Sequence, residues 1–375
     1  MFDARLSRLE AVLAASALDG ALLTSAESLA YFAGFEPQVE WGSMPWLPCP
    51  AAFLWLPGER PVLFLAEGET AHPELDLETI PFTGYTYTEC FPGVSSLTAP
   101  LLSRLKKIAR ARVGAELPWL PSAVFVSVME ACPQLHFADI HTKIAELRQV
   151  KSPSELQRLR RAVHLCDCGQ RAARDLAQPG MTEVELFSQI HGAMEKEAGC
   201  RVPLLADVLS GPRTAQAGGP PTSRKLCQGD LLLVDLVARR DGYWGDSCNT
   251  LAIGTPSSWQ QALFDRVHSA LSDAIAQVKP GLPASELDRF LRQRTDEGGG
   301  SFPHHAGHGI GVSWHEEPRI VPYNSRELVE GMVIALEPGI YVNGQYGLRL
   351  ESVVAVTSTG AELLTGFTHT LQVGS

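Results

Sequence analysis

Four carboxylates sit inside apolar, strand-like stretches of this chain, and a run of histidines separates the two pairs. The first pair lies in LLLVDLVARRDGYWGDSCNTLAIG, residues 231–254. Apolar β-formers flank Arg239-Arg240-Asp241-Gly242, which reads as a four-residue hairpin loop. That register places Ala238 opposite Tyr243 and Asp235 directly opposite Asp246. Opposed carboxylates repel and weaken strand pairing, so a buried pair requires positive charge between them. A divalent cation supplies it economically; an Asp246 turned to solvent in a twisted hairpin is the alternative these residues leave open.

The second pair strengthens the metal reading. VIALEPGIYV (333–342) carries Glu337, with Pro338-Gly339 bending the chain after it. YGLRLESVVAVT (346–357) carries Arg349 and Glu351 on one face and Leu348, Leu350 and Ser352 on the other. A glutamate among Leu, Val and Ala is rarely buried unpaired, and Arg349 could pair with one such residue. Four carboxylates around one imidazole carry a formal charge of about −4, which two divalent cations balance. An oxygen-rich shell with one nitrogen suits manganese, with cobalt or zinc as alternatives. FPHHAGHGIGVSWHEEP (302–318) offers the histidines, but the stretch alone does not say which of them touches metal. Its Glu316 and Glu317 read as ordinary loop carboxylates.

The elements that must position these groups can be read outward from them. Ser152-Pro153-Ser154-Glu155 is a capping box with proline at the first helical position, and it opens a long helix that runs to Pro179-Gly180. Thr182-Glu183-Val184-Glu185 is a second capping box. Strands and helices then alternate to the end, with two helices and strands in each half of 155–370. Before residue 148, a helix over 5–18, short strands at 21–23, 51–56, 61–66 and 113–116, and a helical stretch near 97–112 predict a small α/β domain with a mixed sheet. The segment 39–59, with Trp41, Trp46 and Trp55, reads as a packed loop and strand.

Composition excludes several function classes. At 375 residues the chain predicts two or three domains, and 45% hydrophobic with 19% charged residues describes a globular protein with a real core. The net charge is −11 and no dense Lys/Arg cluster stands out, so nucleic acid and anionic membranes are poor partners. No signal peptide or membrane span is read. Eight scattered cysteines suit reduced thiols in a cytoplasmic protein. His164 with Cys166-Asp167-Cys168 is too tightly spaced for a zinc finger, and buried small side chains in a helix are expected.

Taken together, these segments resemble the pita-bread metallopeptidases, in the branch of prolidase and aminopeptidase P. RLSRLEAVLAASALDGALLTSAESLAYFAGF is similar to that family's first domain, and ELRQVKSPSELQRLRRA to its linker and first catalytic helix. The resemblance implies a creatinase/prolidase-like domain over 1–147 and a pita-bread catalytic domain with pseudo-twofold halves over 148–375, an α/β fold overall. It implies a five-residue metal set of Asp235, Asp246 eleven residues later, His308, Glu337 and Glu351. Asp246 and Glu351 would bridge two ions, and Glu337 would act as general base toward a hydroxide between them. His315 and His304 would be substrate-side catalytic histidines, and Arg349 and Tyr341 would support ligands or substrate. Short peptides, by default cleaved at Xaa-Pro bonds, are the implied substrates, and a homodimer contacting through 39–59 is the implied assembly. The chain departs from the family at Gly218, seventeen residues before Asp235, where a histidine is usual. His305 replaces a usual glycine, and DSCNT a usual DxTRT. Arg213 or His305 is the expected substitute for the missing histidine, and a non-Xaa-Pro specificity on the same centre is the expected alternative.

Overall fold

Two positive-φ residues set the central hairpin. In the computed structural model, Asp241 (φ 51°) and Gly242 (φ 78°) form a two-residue turn, the geometry whose twist matches that of the strands it joins. The expected four-residue loop is therefore too long by two. Arg239 and Arg240 remain in strand and pair with Trp244 and Tyr243. Asp235 consequently faces Cys248, and Asp246 faces Val237. The two aspartates are diagonal neighbours on one face of the hairpin, close enough to share a cation. Asp246 is buried, which removes the solvent-facing alternative.

The structure describes residues 2–37, 51–70, 75–84, 87–88, 95–296 and 300–374. Trp41, Trp46 and most of the proposed contact segment lie outside them. The chain divides into two compact units, Met1–Arg148 and Gln149–Ser375. In the first, strands β1 (Gly20–Leu23), β2 (Ala51–Trp55), β3 (Val62–Ala66), β4 (Glu78–Phe82), β5 (Arg112–Ala115) and β6 (His136–Asp139) form one sheet in the order β4-β3-β2-β1-β5-β6. Both parallel and antiparallel pairings occur, as expected for a mixed sheet. Helices α1 (Phe2–Ala15), α2 (Ala26–Ala33), α3 (Ser95–Leu105), α4 (Ser122–Ala131) and α5 (His141–Leu147) accompany it.

The second unit repeats one plan twice. Both capping boxes form, opening α6 (Pro153–Leu176) and α7 (Glu183–Ala198). These helices pack on β7 (Leu204–Ser210), β8 (Leu231–Arg240) and β9 (Tyr243–Ala252). Alternation along β8 decides the layers. Leu232, Val234, Leu236 and Ala238 join Cys166, Ile190 and Met194 in the helix-side core, so Leu233, Asp235 and Val237 must project from the other face. Gly245 needs no side chain because one would strike the Ala162 backbone at 2.4 Å. A third capping box starts α8 (Ser258–Gln277), which pairs with α9 (Ala284–Thr295). They cover a sheet made of β10 (Gly307–Gly309), β11 (Glu316–Ile320), β12 (Val333–Leu336), β15 (Ser352–Val356) and β16 (Ala361–Leu363). The ribbon β13 (Gly339–Val342) and β14 (Tyr346–Arg349) completes the unit.

The bend expected at Pro338-Gly339 forms, and the stretch 346–357, expected as one strand, is also broken, each break lying at a glutamate. Glu337 separates β12 from β13, and Leu350-Glu351 separate β14 from β15. Backbone hydrogen bonds hold both breaks: the Glu337 amide donates to Ala306, the Leu350 amide to Pro338 and the Glu351 amide to Cys248. Each carboxylate is thus fixed where the chain passes between sheets.

Candidate metal centre

His308 occupies the middle of β10 and is 1% exposed. Its Nδ1 lies 2.9 Å from the Gly309 carbonyl, which fixes the proton there and leaves Nε2 as an electron-pair donor. Nε2 points at three carboxylates: Asp246 at 3.6 Å, Glu337 at 3.7 Å and Glu351 at 3.9 Å. Burial lowers the His308 pKa, so the ring is neutral and ready to ligate. Donor atoms of Asp246, His308 and Glu351 all lie within 4.8 Å of one another. Asp235 joins them from β8, its carboxylate bound by the Arg349 guanidinium.

The electrostatics are those of a buried acidic cage. Burial first, then neighbouring carboxylates, raise the pKa values of Asp246 and Glu351 well above the ordinary range. Burial likewise raises Asp235 to about 6, although Arg349 opposes the rise. Among the described residues, Asp235 Oδ1, Asp246 Oδ1 and Glu351 Oε1 are buried with no hydrogen-bond partner. Unpaired buried carboxylate oxygens are costly, and metal coordination is the usual way such groups are satisfied. The donor set present therefore fits divalent cations.

Around this cage stands a collar of rings and one guanidinium. His305 Nε2 lies 2.8 Å from Glu337 Oε1, and His304 Nδ1 lies 3.6 Å from Glu337 Oε2. Burial pushes the Glu337 pKa up, but contacts with His305, His304 and His308 outweigh it and hold this carboxyl below the usual range. Glu337 is thus ionised where its neighbours resist ionisation. His305, one of the two expected substitutes for the missing histidine, makes the shortest of these contacts. The His315 ring stands 4.2 Å from that of His308 and 5.0 Å from that of His305. Burial lowers His315 to about 3 and His304 to about 4, so both are neutral near pH 7. Tyr341 Oη is 2.9 Å from His304 Nε2 and accepts from Arg349 Nη1 at 3.3 Å. Arg349 Nη1 also donates to the Ala217 carbonyl at 2.6 Å.

Several supports were invisible in the sequence. Arg292 on α9 donates to the Phe302 and His304 carbonyls at 2.6 and 2.7 Å while its Nε pairs with buried Asp288, fixing the approach to the histidines. Glu316 is not a loop carboxylate. It opens β11, is buried, and pairs with equally buried Lys151 at 2.9 Å. Its carboxylate fills the space left by Gly311, where a Cβ would come within 2.6 Å of it. Glu317, also expected in a loop, lies in β11 as well but is exposed. Arg213 cannot stand in for a histidine at 218, because its guanidinium is held by Glu183 and by the Pro220 carbonyl. On α6, Cys166 is buried as expected, but Cys168 is only half-buried and meets His164 and Glu197. Arg171 donates to Cys168 Sγ at 3.0 Å and brings a positive charge to that cluster.

Comparison with known proteins places this geometry. Residues 157–358 match the metallopeptidase family M24 model. The chain belongs to metallopeptidase family M24. M24 enzymes use divalent metals, so the chain is a metallopeptidase. Residues 5–150 match the creatinase/prolidase N-terminal domain. An uncharacterised peptidase of Staphylococcus haemolyticus is 35% identical over 62% of this chain and 67% of its own length. Among solved structures, an Xaa-Pro dipeptidase from Bacillus anthracis superposes with a TM-score of 0.84 at 25% identity, covering 99% of both chains. Dipeptidase PepE from Mycobacterium ulcerans gives 0.79 at 26% identity, covering 99% of this chain and 97% of its own. The M24 unit is the pita-bread fold expected, following a creatinase/prolidase-like domain.

Proposed function

We propose that this chain is an exopeptidase that hydrolyses short peptides, by default at Xaa-Pro bonds, with Asp235, Asp246, His308, Glu337 and Glu351 holding two divalent cations, most suitably manganese. The observation that carries the proposal is the convergence of His308 Nε2 on three carboxylates, with three buried carboxylate oxygens lacking partners among the described residues. Two such cations would lower the pKa of water and polarise the scissile carbonyl.

The chain's own groups do the rest. Glu337, held ionised by its histidine neighbours, takes the proton released when water attacks and passes it toward the leaving amine. His315 is a neutral imidazole beside His308, and its ring N–H donates to the oxygen that gains charge as the tetrahedral centre forms. His304 is oriented by Tyr341 and by the His305 carbonyl, and it lines the same side. Arg349 fixes Asp235 in the geometry a ligand needs.

A second reading keeps this centre and changes the bond cut. Gly218 presents no side chain to the site, and the structural neighbours include a protein titled simply a dipeptidase. Turnover of dipeptides and longer peptides, with and without proline at the second position, tests both readings in manganese-supplemented buffer. Cleavage restricted to Xaa-Pro supports the first; cleavage only of peptides lacking proline supports the second. Absence of hydrolysis with manganese, cobalt or zinc refutes both.

A further inference from the structure

The face that carries Asp235 carries a fifth carboxylate that the metal set does not use. Asp207 on β7 is directly opposite Asp235 in the register, so the two side chains emerge on the same face. Exposure falls steadily across the sheet along this row. The side chain of Asp207 is 34% exposed, that of Asp235 15% and that of Asp246 4%. Asp207 therefore stands at the mouth of the site while its neighbours stand at the floor.

Two features keep this carboxylate open. First, its charge is only loosely matched: Arg349 Nη2 binds Asp235 and lies 3.7 Å from Asp207 Oδ2, beyond hydrogen-bond reach. Second, the residue above it is Gly218. A Cβ at 218 would come within 2.8 Å of Asp207 Oδ2, so any larger residue would cover or displace the carboxylate.

The loop cannot easily swing away to change this. Arg349 holds the Ala217 carbonyl at 2.6 Å, and Ala217 itself has φ 64°. The Gly347 amide donates to Thr214 Oγ1 at 2.8 Å. Fully buried Glu183 accepts from Ser210 and from Thr222 at either end of the loop. Gly218 is thus fixed in place as a bare spot over a negative charge.

We infer that Asp207, uncovered by Gly218, receives a cationic nitrogen of the peptide substrate and gives the enzyme a preference for positively charged peptides. The cation is a basic side chain or the free α-ammonium; both are amines that a carboxylate at the mouth would bind by a charge-assisted hydrogen bond. Asp207 is then a specificity residue, not a group that takes part in bond breaking. The inference rests on the peptidase reading above.

The test compares matched peptides on manganese-loaded enzyme. Lysine is exchanged for neutral norleucine at each position in turn, and a further member lacks the α-amine. Wild-type protein is expected to favour a lysine peptide over its norleucine partner by about tenfold in kcat/KM, chiefly through KM, and Asp207→Asn is expected to bring that ratio near one. Gly218→Ala, which covers the carboxylate without removing it, is expected to shrink the ratio as well. If the α-ammonium is the bound cation, Asp207→Asn raises KM equally for both partners and has no effect on the member lacking the amine. A lysine preference unchanged in Asp207→Asn, with no common rise in KM, overturns the inference. A wild-type enzyme that turns over none of these peptides refutes the peptidase reading separately. In that case calorimetric binding of the same peptides to Glu337→Gln protein, with and without Asp207→Asn, still decides the role of Asp207. Equal affinity for charged and neutral partners in both proteins, with no common loss on Asp207→Asn, refutes it.

Discussion

Replacing Glu351 by glutamine should make the metal-free protein more stable and the metal-treated protein less responsive. Glu351 is 1% exposed, and its donor atom lies within 4.8 Å of those of Asp246 and His308. With an effective dielectric near 20, two unit charges 4.8 Å apart repel by about 3.5 kcal/mol. Burial, then Asp246, Glu337 and Asp235, raise the Glu351 pKa well above its ordinary value. A carboxyl raised in the folded state stabilises below its unfolded pKa and loses that advantage as pH rises. Near pH 4.5 the variant should therefore match wild type, and its advantage should grow by up to about 1.4 kcal/mol per pH unit above that. Relief of the Asp246 repulsion alone corresponds to about 7–14 °C in Tm for a domain of roughly 150–250 residues. The assay is thermal and denaturant unfolding of chelator-treated protein at pH 5 and pH 8, repeated with added manganese. Wild type should gain stability from the metal at pH 8, about 2.7 kcal/mol at a hundredfold excess over Kd, while the variant gains little. A variant less stable than wild type at pH 8 without metal, or one that gains as much from manganese, would refute the charge-cage reasoning.

Three further outcomes follow from other parts of the site. Glu337→Gln should lower kcat by about 10²–10⁴-fold while leaving the far-ultraviolet circular dichroism unchanged; surviving activity in metal-saturated protein removes Glu337 as the proton acceptor. Lys151→Met removes the buried ammonium that Glu316 contacts at 2.9 Å, so it should cost about 3–5 kcal/mol in denaturant unfolding, with much of the loss recovered in the Lys151→Met/Glu316→Gln double variant. Burial, then His268, holds His369 at about 4, below the ordinary histidine value of about 6.5. The neutral ring contacts Ser352 Oγ at 3.0 Å and Asn249 Oδ1 at 3.2 Å. Its contribution is therefore intact above pH 6.5 and lost as pH falls toward 4, a swing of about 3 kcal/mol. His369→Asn should flatten that part of the stability profile, and an unchanged acid slope would contradict it.

How much of this was legible beforehand varied with how local the signal was. Ser152-Pro153-Ser154-Glu155 and Thr182-Glu183-Val184-Glu185 form the capping boxes their sequences announce, because both partners lie within one helical turn. The hairpin register missed by two residues, because Arg239 and Arg240 look like loop residues while the positive φ at Asp241 and Gly242 decides the turn. The inference survived because a shift of two preserves the face, so Asp235 and Asp246 still share it. Pro338-Gly339 announced the bend after Glu337, but Glu351 was read within a continuous strand and instead sits at a break held by a hydrogen bond to a distant segment. No local pattern reports the break at Glu351. His305 beside Glu337, Lys151 beside Glu316 and Asp207 beneath Gly218 are contacts across many residues of sequence. One faint signal did exist for the last: a glycine-proline-rich loop following an aspartate-bearing strand. The alternation of β7 was too weakly apolar to point at Asp207.

The central claim is that five side chains form a two-cation centre on which peptide hydrolysis depends. Calorimetric titration of chelator-treated protein with manganese, with peptide turnover read from the same samples, tests it most directly. Two ions bound per chain, with turnover rising as the second site fills and vanishing on chelation, is the predicted result. Protein that binds no divalent ion, or that turns peptides over equally well after complete chelation, would contradict it.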